Sequence, residues 1–354
     1  MKSYSNYAFI LLGLLLLLSC KEEEQKDQIS SEEQIFAGTA IGTTYTVKFF
    51  HDEQLALTKD VDSIIKMFNN SMSTWIPSSL INKFNNGEDS VLVGKPFKEV
   101  FDQAIEIHKN TKGYLDPTVG NLVNAYGFGA AGQKSTIPSE SKLDSLKNFI
   151  GLDKVKLLQS TKKDSFFLTS STEGIYIEFN AIGKGTLVDH IGRLLENKGV
   201  SDYLVEVGGE VVARGKNLNR DGSWAVGIDD PNQTPDERRY ITVVNLDDRA
   251  MAGSGNYRKN KVDSETGMTY VHTVNPITGK AQPSQVLGVN VMAKNCTLAD
   301  GYATAFMAMP LEMSIKLMHE IDGIDVLIMH MDKNGMLRLE TTEGFKNSIK
   351  QSSL

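Results

Sequence analysis

Asp300 and Thr304, in the stretch CTLADGYATAF, stand four residues apart and on a helix share one face. A carboxylate and a hydroxyl side by side offer hard oxygens suited to Mg2+, provided that a ligand phosphate and further oxygens complete the shell. The spacing also has a structural reading, because Thr297 would be the N-cap of that helix and Thr297-x-x-Asp300 resembles a capping box. His272 lies in YVHTVNPITG, where a strand meets a turn. An imidazole with an ordinary pKa of about 6.5 suits the deprotonation of a hydroxyl nucleophile, although a histidine so placed is as readily structural or simply exposed. Lys184 sits in NAIGKG at a helix entrance, where unpaired amides favour anionic ligands.

Other positions offer binding rather than bond-making chemistry. Trp75, in SMSTWIPSSLINKFN, stands between a helix and a polar turn, placed to stack on a flat ring or to cover a core edge. Asp116 and Thr118 flank Pro117 beside Gly120 and either bind a ligand or cap the NLVNAY helix. VEVGGE and MAGSGNYRK supply Gly208, Gly209, Gly253, Ser254, Gly255 and Arg258 after apolar strands. His51, His108 and His319 read as solvated or packing residues, and His190 and His330 have no acidic neighbours at ligand spacing. Three motifs mislead. GFGAAG (127–132) lacks the strand before and helix after that a dinucleotide loop needs; AIGKGT lacks a Walker motif's first glycine and its Ser or Thr; DKNGMLRLE has its glycine too early for a calcium loop and is explained by a turn. The motifs alone point to an extracytoplasmic enzyme that handles phosphates or nucleotides.

These residues need elements to position them. GTAIGTTYTVKFF alternates and reads as a first strand. LTKDVDSIIKMFNNSMSTW has apolar residues at helical spacing and should stop near Asn69 and Asn70; PFKEVFDQAIEIHKNTKG repeats the pattern and closes at Gly113. Residues 114–135, apolar but rich in glycine, read as a loop or short helix held against something. In the centre, GIYIEFN reads as a half-buried strand, AIGKGTLVDHIGRLLENKG as a helix ending at Gly199, and DYLVEVGGEVVARG as strand again. Short strands follow at SWAVGIDD, YITVVNLD, YVHTVNP and VLGVNVMA, then helices over about 298–308 and 312–321, then a hairpin turning at Asn334-Gly335. The class is α+β, with mixed or antiparallel sheets and packed helices.

Lys2, an apolar run from Tyr7 to Leu18, and LLLSC ending at Cys20 describe a lipoprotein signal peptide over 1–19, too short and too sharply followed by charge for a comfortable membrane span. Lipidated Cys20 would anchor the chain in a bilayer, with residues 20–35 as a flexible charged tether and 36–354 as the body, built as two interleaved subdomains. The inner membrane's periplasmic face is the expected address, with the outer membrane or cell surface as alternatives. The formal net charge of −7 and the absence of a basic cluster argue against nucleic acid as a partner. Only Cys20 and Cys296 are present, which excludes a disulfide framework and a cysteine zinc site.

Taken in order, GTAIGTTYTV, MSTWIPSSLINKFN, DPTVGNLVNAYGFG, FNAIGKGTLVD, YLVEVGGEVVARG, MAGSGNYR, HTVNPITGK and CTLADGYATA resemble the FAD:protein FMN transferases, a family once described as thiamine-biosynthesis lipoproteins. The resemblance runs from about residue 38 to 308. It implies an architecture related to tunnelling-fold enzymes and a Mg2+-dependent transfer of the FMN part of FAD to a Thr or Ser hydroxyl of a target protein, with release of AMP. Mn2+ suits the same oxygens. It further implies metal contacts at Ala181 (through its backbone oxygen), Asp300 and Thr304, with Ala303 adjacent. Flavin-nucleotide contacts would fall at Ile41, Trp75, Asp116, Pro117, Thr118, Glu178, Lys184 and Val274, and His272 would be the base for the acceptor hydroxyl. The implied acceptors are flavoprotein subunits of the sodium-translocating NADH:quinone oxidoreductase or related electron-transport complexes. The chain departs from the family at Ile41, where Met is frequent, and at Glu178, where Asp is common. A FAD pyrophosphatase and a non-catalytic flavin-binding lipoprotein are the rival readings.

Overall fold

In the computed structural model, which describes residues 32–132, 136–233, 239–256, 260–281 and 284–350, the segment read as one first strand is a hairpin. Strands β1 (Glu32–Ala40) and β2 (Thr43–His51) pair antiparallel about Ile41 and Gly42, whose φ angles of 44° and 81° are those of a two-residue turn matched to strand twist. Residues 32–35, assigned to the tether from composition, are thus part of β1, because they find backbone partners in β2. The expected leader, Cys20, the rest of the expected tether up to residue 31, and Arg258 lie outside the described residues.

The helices are α1 (Thr58–Met72), α2 (Leu80–Asn85), α3 (Lys95–Asn110), α4 (Gly120–Ala125), α5 (Glu140–Lys147), α6 (Gly183–Asn197), α7 (Cys296–Ala308), α8 (Leu311–Leu317) and α9 (Glu343–Ser348). The remaining strands are β3 (Ser90–Gly94), β4 (Val155–Gln159), β5 (Ser165–Ser170), β6 (Asp202–Val207), β7 (Glu210–Arg214), β8 (Trp224–Asp229), β9 (Tyr240–Leu246), β10 (Ala250–Gly255), β11 (Asn260–Val262), β12 (Thr269–Val271), β13 (Val286–Ala293), β14 (Asp325–Met331) and β15 (Leu337–Thr341). Eight strands form one sheet in the order β1-β2-β6-β7-β10-β13-β14-β15, antiparallel at every step. Strands β3, β5 and β4 form a small second sheet, and β8–β9 and β11–β12 are two-stranded ribbons.

Alternation along the large sheet assigns its two faces. Val289, Val291, Val326 and Ile328 face a core shared with α3 and α7, whereas Met292, Leu327 and Met329 face the β8–β9 ribbon and Phe345 of α9. At the other end of the sheet, Val47, Phe49, Val205 and Val207 pack on Leu187, Val188, Ile191 and Leu195 of α6. Each such side chain, wholly removed from water, contributes roughly 1.5–3 kcal/mol before chain entropy is set against it. The helix α7 is buried almost all round, which explains its weak amphipathic pattern. Among the described residues no helix is long and apolar enough to cross a membrane.

The central segment GIYIEFN departs from expectation. Ile175, Ile177 and Phe179 are buried, but the segment forms no strand. Its backbone takes partners one at a time: the Asn85 side chain donates to the Ile177 carbonyl (2.9 Å) and accepts the Ile177 N–H (2.8 Å), the Glu178 N–H donates to the Pro117 carbonyl (2.8 Å), and Tyr176 bridges to Val119. An amide side chain thus stands where a neighbouring strand would. Helix α1 runs past Asn69 and Asn70 to Met72, whose side chain is buried. The helix expected over 312–321 is regular only through α8, with turns beyond.

Candidate active site

Helix α7 carries Asp300 and Thr304 on one face, as their spacing requires. Its N-cap is Asn295, whose side chain accepts the Leu298 N–H at 2.9 Å; Thr297, expected at that position, lies inside the first turn and donates its hydroxyl to Asp189 (2.7 Å). The capping-box reading of Asp300 therefore falls. Its carboxylate accepts the Gly185 N–H of α6 at 3.0 Å. The Thr304 hydroxyl stands 3.5 Å from the Ala181 carbonyl oxygen and 3.3 Å from the Ser254 hydroxyl at the end of β10. Asp300 and Ala303 are buried in the core, so these oxygens are presented from a rigid wall.

Gly183 and Lys184 open α6 in front of this wall. Gly185 is dictated by contact: a Cβ there would lie 2.2 Å from the Cys296 carbonyl oxygen. Lys184 pairs with Glu210, the first residue of β7, whose side chain is wholly buried. The lysine stem runs past the Gly208-Gly209 turn, and a Cβ on Gly208 would meet Thr43 at 2.8 Å and Lys184 at 3.2 Å. The Gly208 N–H also donates to the Thr44 carbonyl, so the turn bearing Ile41 packs beside the lysine. A cation, a helix N-terminus and three hydroxyl or carbonyl oxygens near one carboxylate suit a pyrophosphate with a divalent ion.

Of the predicted flavin contacts, Asp116, Pro117, Thr118 and Glu178 form a second group. Asp116 accepts the Thr118 N–H (2.8 Å) and hydroxyl (2.6 Å), and Thr118 accepts the Gly151 N–H (2.8 Å). Neither residue caps α4, which has no side-chain cap. Burial pushes the Asp116 carboxyl above its ordinary range against the opposing pull of Thr118 and of His108, whose Nδ1 lies 3.6 Å away. His108, read as a solvated or packing residue, is therefore part of this network. Pro117 joins the group to Glu178 through the backbone bond already described. Glu178 is buried, and desolvation pushes its carboxyl up to about 7, although Asn180 donates to it at 2.7 Å. Trp75 is 62% exposed on a loop fixed from below by the Asn82 side chain, which donates to the Thr74 and Ile76 carbonyls.

His272 follows β12, half-buried, its ring edge-on to Phe128 with centroids 6.4 Å apart. Val274 is buried next to Asn275, whose amide donates to the Ala308 carbonyl at the end of α7 (2.9 Å) while its oxygen accepts the Ile277 and Thr278 N–H groups. This turn ties the histidine loop to the helix that carries Thr304. Asp189, Glu210, Asn85 and Asn82 went unnoticed in the sequence, since each acts across elements; Ser254 was noticed only as part of a glycine-rich turn.

The model of the ApbE family matches residues 41–328. The chain belongs to the ApbE family. The FAD:protein FMN transferase of Vibrio cholerae is 30% identical over 98% of this chain and 97% of its own length, and that of Haemophilus influenzae is 29% identical over 94% of each. The solved flavin transferase ApbE of Vibrio cholerae superposes with a TM-score of 0.78 over 90% of this chain and 99% of its own, at 27% identity. The apo flavinyl transferase ApbE of Pseudomonas stutzeri gives 0.77 over 91% and 98%, at 25%. The α+β class with antiparallel sheets is that of these ApbE structures.

Proposed function

We propose that this ApbE-family chain is an FAD:protein FMN transferase, moving the FMN moiety of FAD through a phosphoester bond to a Thr or Ser hydroxyl of a target protein and releasing AMP. The observation that carries the reading is the meeting of Asp300, Thr304 and the Ala181 carbonyl at the entrance of α6, beside Lys184. Among the described residues no three His, Cys, Asp or Glu side chains gather around a point. One carboxylate with neutral oxygens fits Mg2+ that completes its shell with substrate phosphate, and Ala181, Asp300 and Thr304 would hold it, with Ser254 alongside. Mg2+ there would draw negative charge from the phosphorus under attack.

The chain's own groups do the rest. Lys184 and the first amides of α6 hold the pyrophosphate and neutralise the charge that grows on the AMP oxygen. Trp75, Ile41, the Asp116–Thr118 stretch, Glu178 and Val274 orient the flavin nucleotide. His272 takes the proton from the acceptor hydroxyl as that oxygen attacks the FMN phosphorus and the phosphoanhydride bond to AMP breaks. The acceptors are flavoprotein subunits of the sodium-translocating NADH:quinone oxidoreductase or related complexes, and the protein works outside the cytoplasm, anchored through lipid on Cys20. The LLLSC ending and charged stretch after it support the anchor.

The test is the intact mass of an acceptor peptide incubated with the soluble body, FAD and Mg2+. A gain equal to esterified FMN, abolished by chelator, is expected. Free FMN and AMP with an unchanged peptide would instead make the protein a pyrophosphatase, and unconsumed FAD would leave it a flavin carrier.

A further inference from the structure

Two carboxylates cross between α6 and α7. Asp300, on α7, accepts the Gly185 N–H in the first turn of α6. Asp189, on α6, accepts the Cys296 N–H at 2.8 Å, the Thr297 N–H at 2.9 Å and the Thr297 hydroxyl at 2.7 Å, all in the first turn of α7. Each helix start is thus capped by an acid from the other, the charge placement that a helix N-terminus favours. Thr186 and Thr297 meet hydroxyl to hydroxyl at 3.3 Å in the same contact, and Gly185, where a Cβ would lie 2.2 Å from the Cys296 carbonyl oxygen, lets the helices come this close. An axial slip or rotation of α7 would break all of these bonds together. Asp300 lies one turn beyond Thr297 and Thr304 one turn further, whereas Ala181 precedes α6.

We propose that Asp189 is a positioning residue for the metal and pyrophosphate site: it touches neither ligand but sets the register of α7 on α6, and so the place of Asp300 and Thr304 relative to the Ala181 carbonyl. The proposal rests on the metal-assisted reading above and assigns a role to a residue outside its contact shell. A cap that served only stability would hold the folded state without influencing how well that state binds Mg2+ with FAD.

The experiment measures FAD affinity of the mature chain by flavin fluorescence, once with Mg2+ and once with EDTA, at a temperature where near-ultraviolet circular dichroism shows each variant folded. The ratio of the two affinities is the metal coupling. For Asp189→Asn the coupling is expected to drop about tenfold or more, toward that of Asp300→Asn, with affinity in EDTA within about twofold of wild type. Thr297→Val, which removes one bond of the cap, should lower the coupling about threefold with the fold intact and stands in if Asp189→Asn does not fold. A lowered melting temperature with unchanged coupling in these variants overturns the positioning role. A wild-type chain whose FAD affinity ignores Mg2+ overturns the metal reading and this proposal with it, an outcome recognisable before any substitution is made.

Discussion

Burial works against the charge of Glu178, lifting its carboxyl from an ordinary 4.5 to about 7. The folded state therefore holds this proton more tightly than the unfolded chain does. Stability is fully present below about pH 4.5 and falls as pH rises to about 7, by on the order of 3 kcal/mol from this residue. Glu178→Gln should flatten that part of the pH–stability curve in urea titrations at pH 5 and 8; an unchanged slope would show that the loss arises elsewhere. Lys184 and Glu210 pose a different problem, since Glu210 is wholly buried and Lys184 partly so. Lys184→Met alone should cost about 3–5 kcal/mol, because it takes a paired cation away from a buried carboxylate, whereas Lys184→Met with Glu210→Met should recover most of the stability. Neither variant should bind FAD well, and this separates the fold's need for the pair from the ligand's need for the cation. Asp300→Asn keeps an acceptor for the Gly185 N–H but loses the charge, and peptide flavinylation is expected to fall about 100-fold or more.

Elements, rather than single residues, decide whether these groups meet. Gly185→Ala places a methyl against the Cys296 carbonyl and must push α6 and α7 apart; a loss of about 1–3 kcal/mol in chemical denaturation is expected, together with weaker FAD binding. Asn85→Ala removes both backbone partners of Ile177, and the segment carrying Glu178 should loosen, at a cost of about 1–3 kcal/mol and with a raised KM for FAD. Periodicity made α1, α3 and α6 legible, and the β1–β2 region was recognisable as strand although its Ile41-Gly42 turn was not. The pairing of Asp300 with Thr304 was likewise written in i, i+4 spacing. GIYIEFN was misread as a strand because alternation reports which side chains are buried, and its backbone partners come from a side chain and a loop far away in sequence. Asp189 and Glu210 left no mark for the same reason: their value depends on which helix or turn lies opposite. The flavin contacts proposed above rest on the resemblance to known transferases, since spacing alone left them open.

At the scale of the whole molecule, one antiparallel sheet separates a helical side, with the candidate site, from the side packed by the β8–β9 ribbon and α9. The described body begins at β1 on one edge of the sheet, so an anchored tether would leave from that edge. Cys20→Ser is expected to move the protein from the membrane fraction to the soluble extracytoplasmic fraction with its transferase activity unchanged; a wild-type chain already soluble would dismiss the anchor. The crossed acids between α6 and α7 join residues 115 and 107 positions apart in the chain. Neither helix can assemble the site by itself, and α7 is made after more than four-fifths of the polypeptide. The proposed pyrophosphate site is therefore a late product of folding: no fragment that stops short of Thr304 can form it, however well its earlier strands and helices are made.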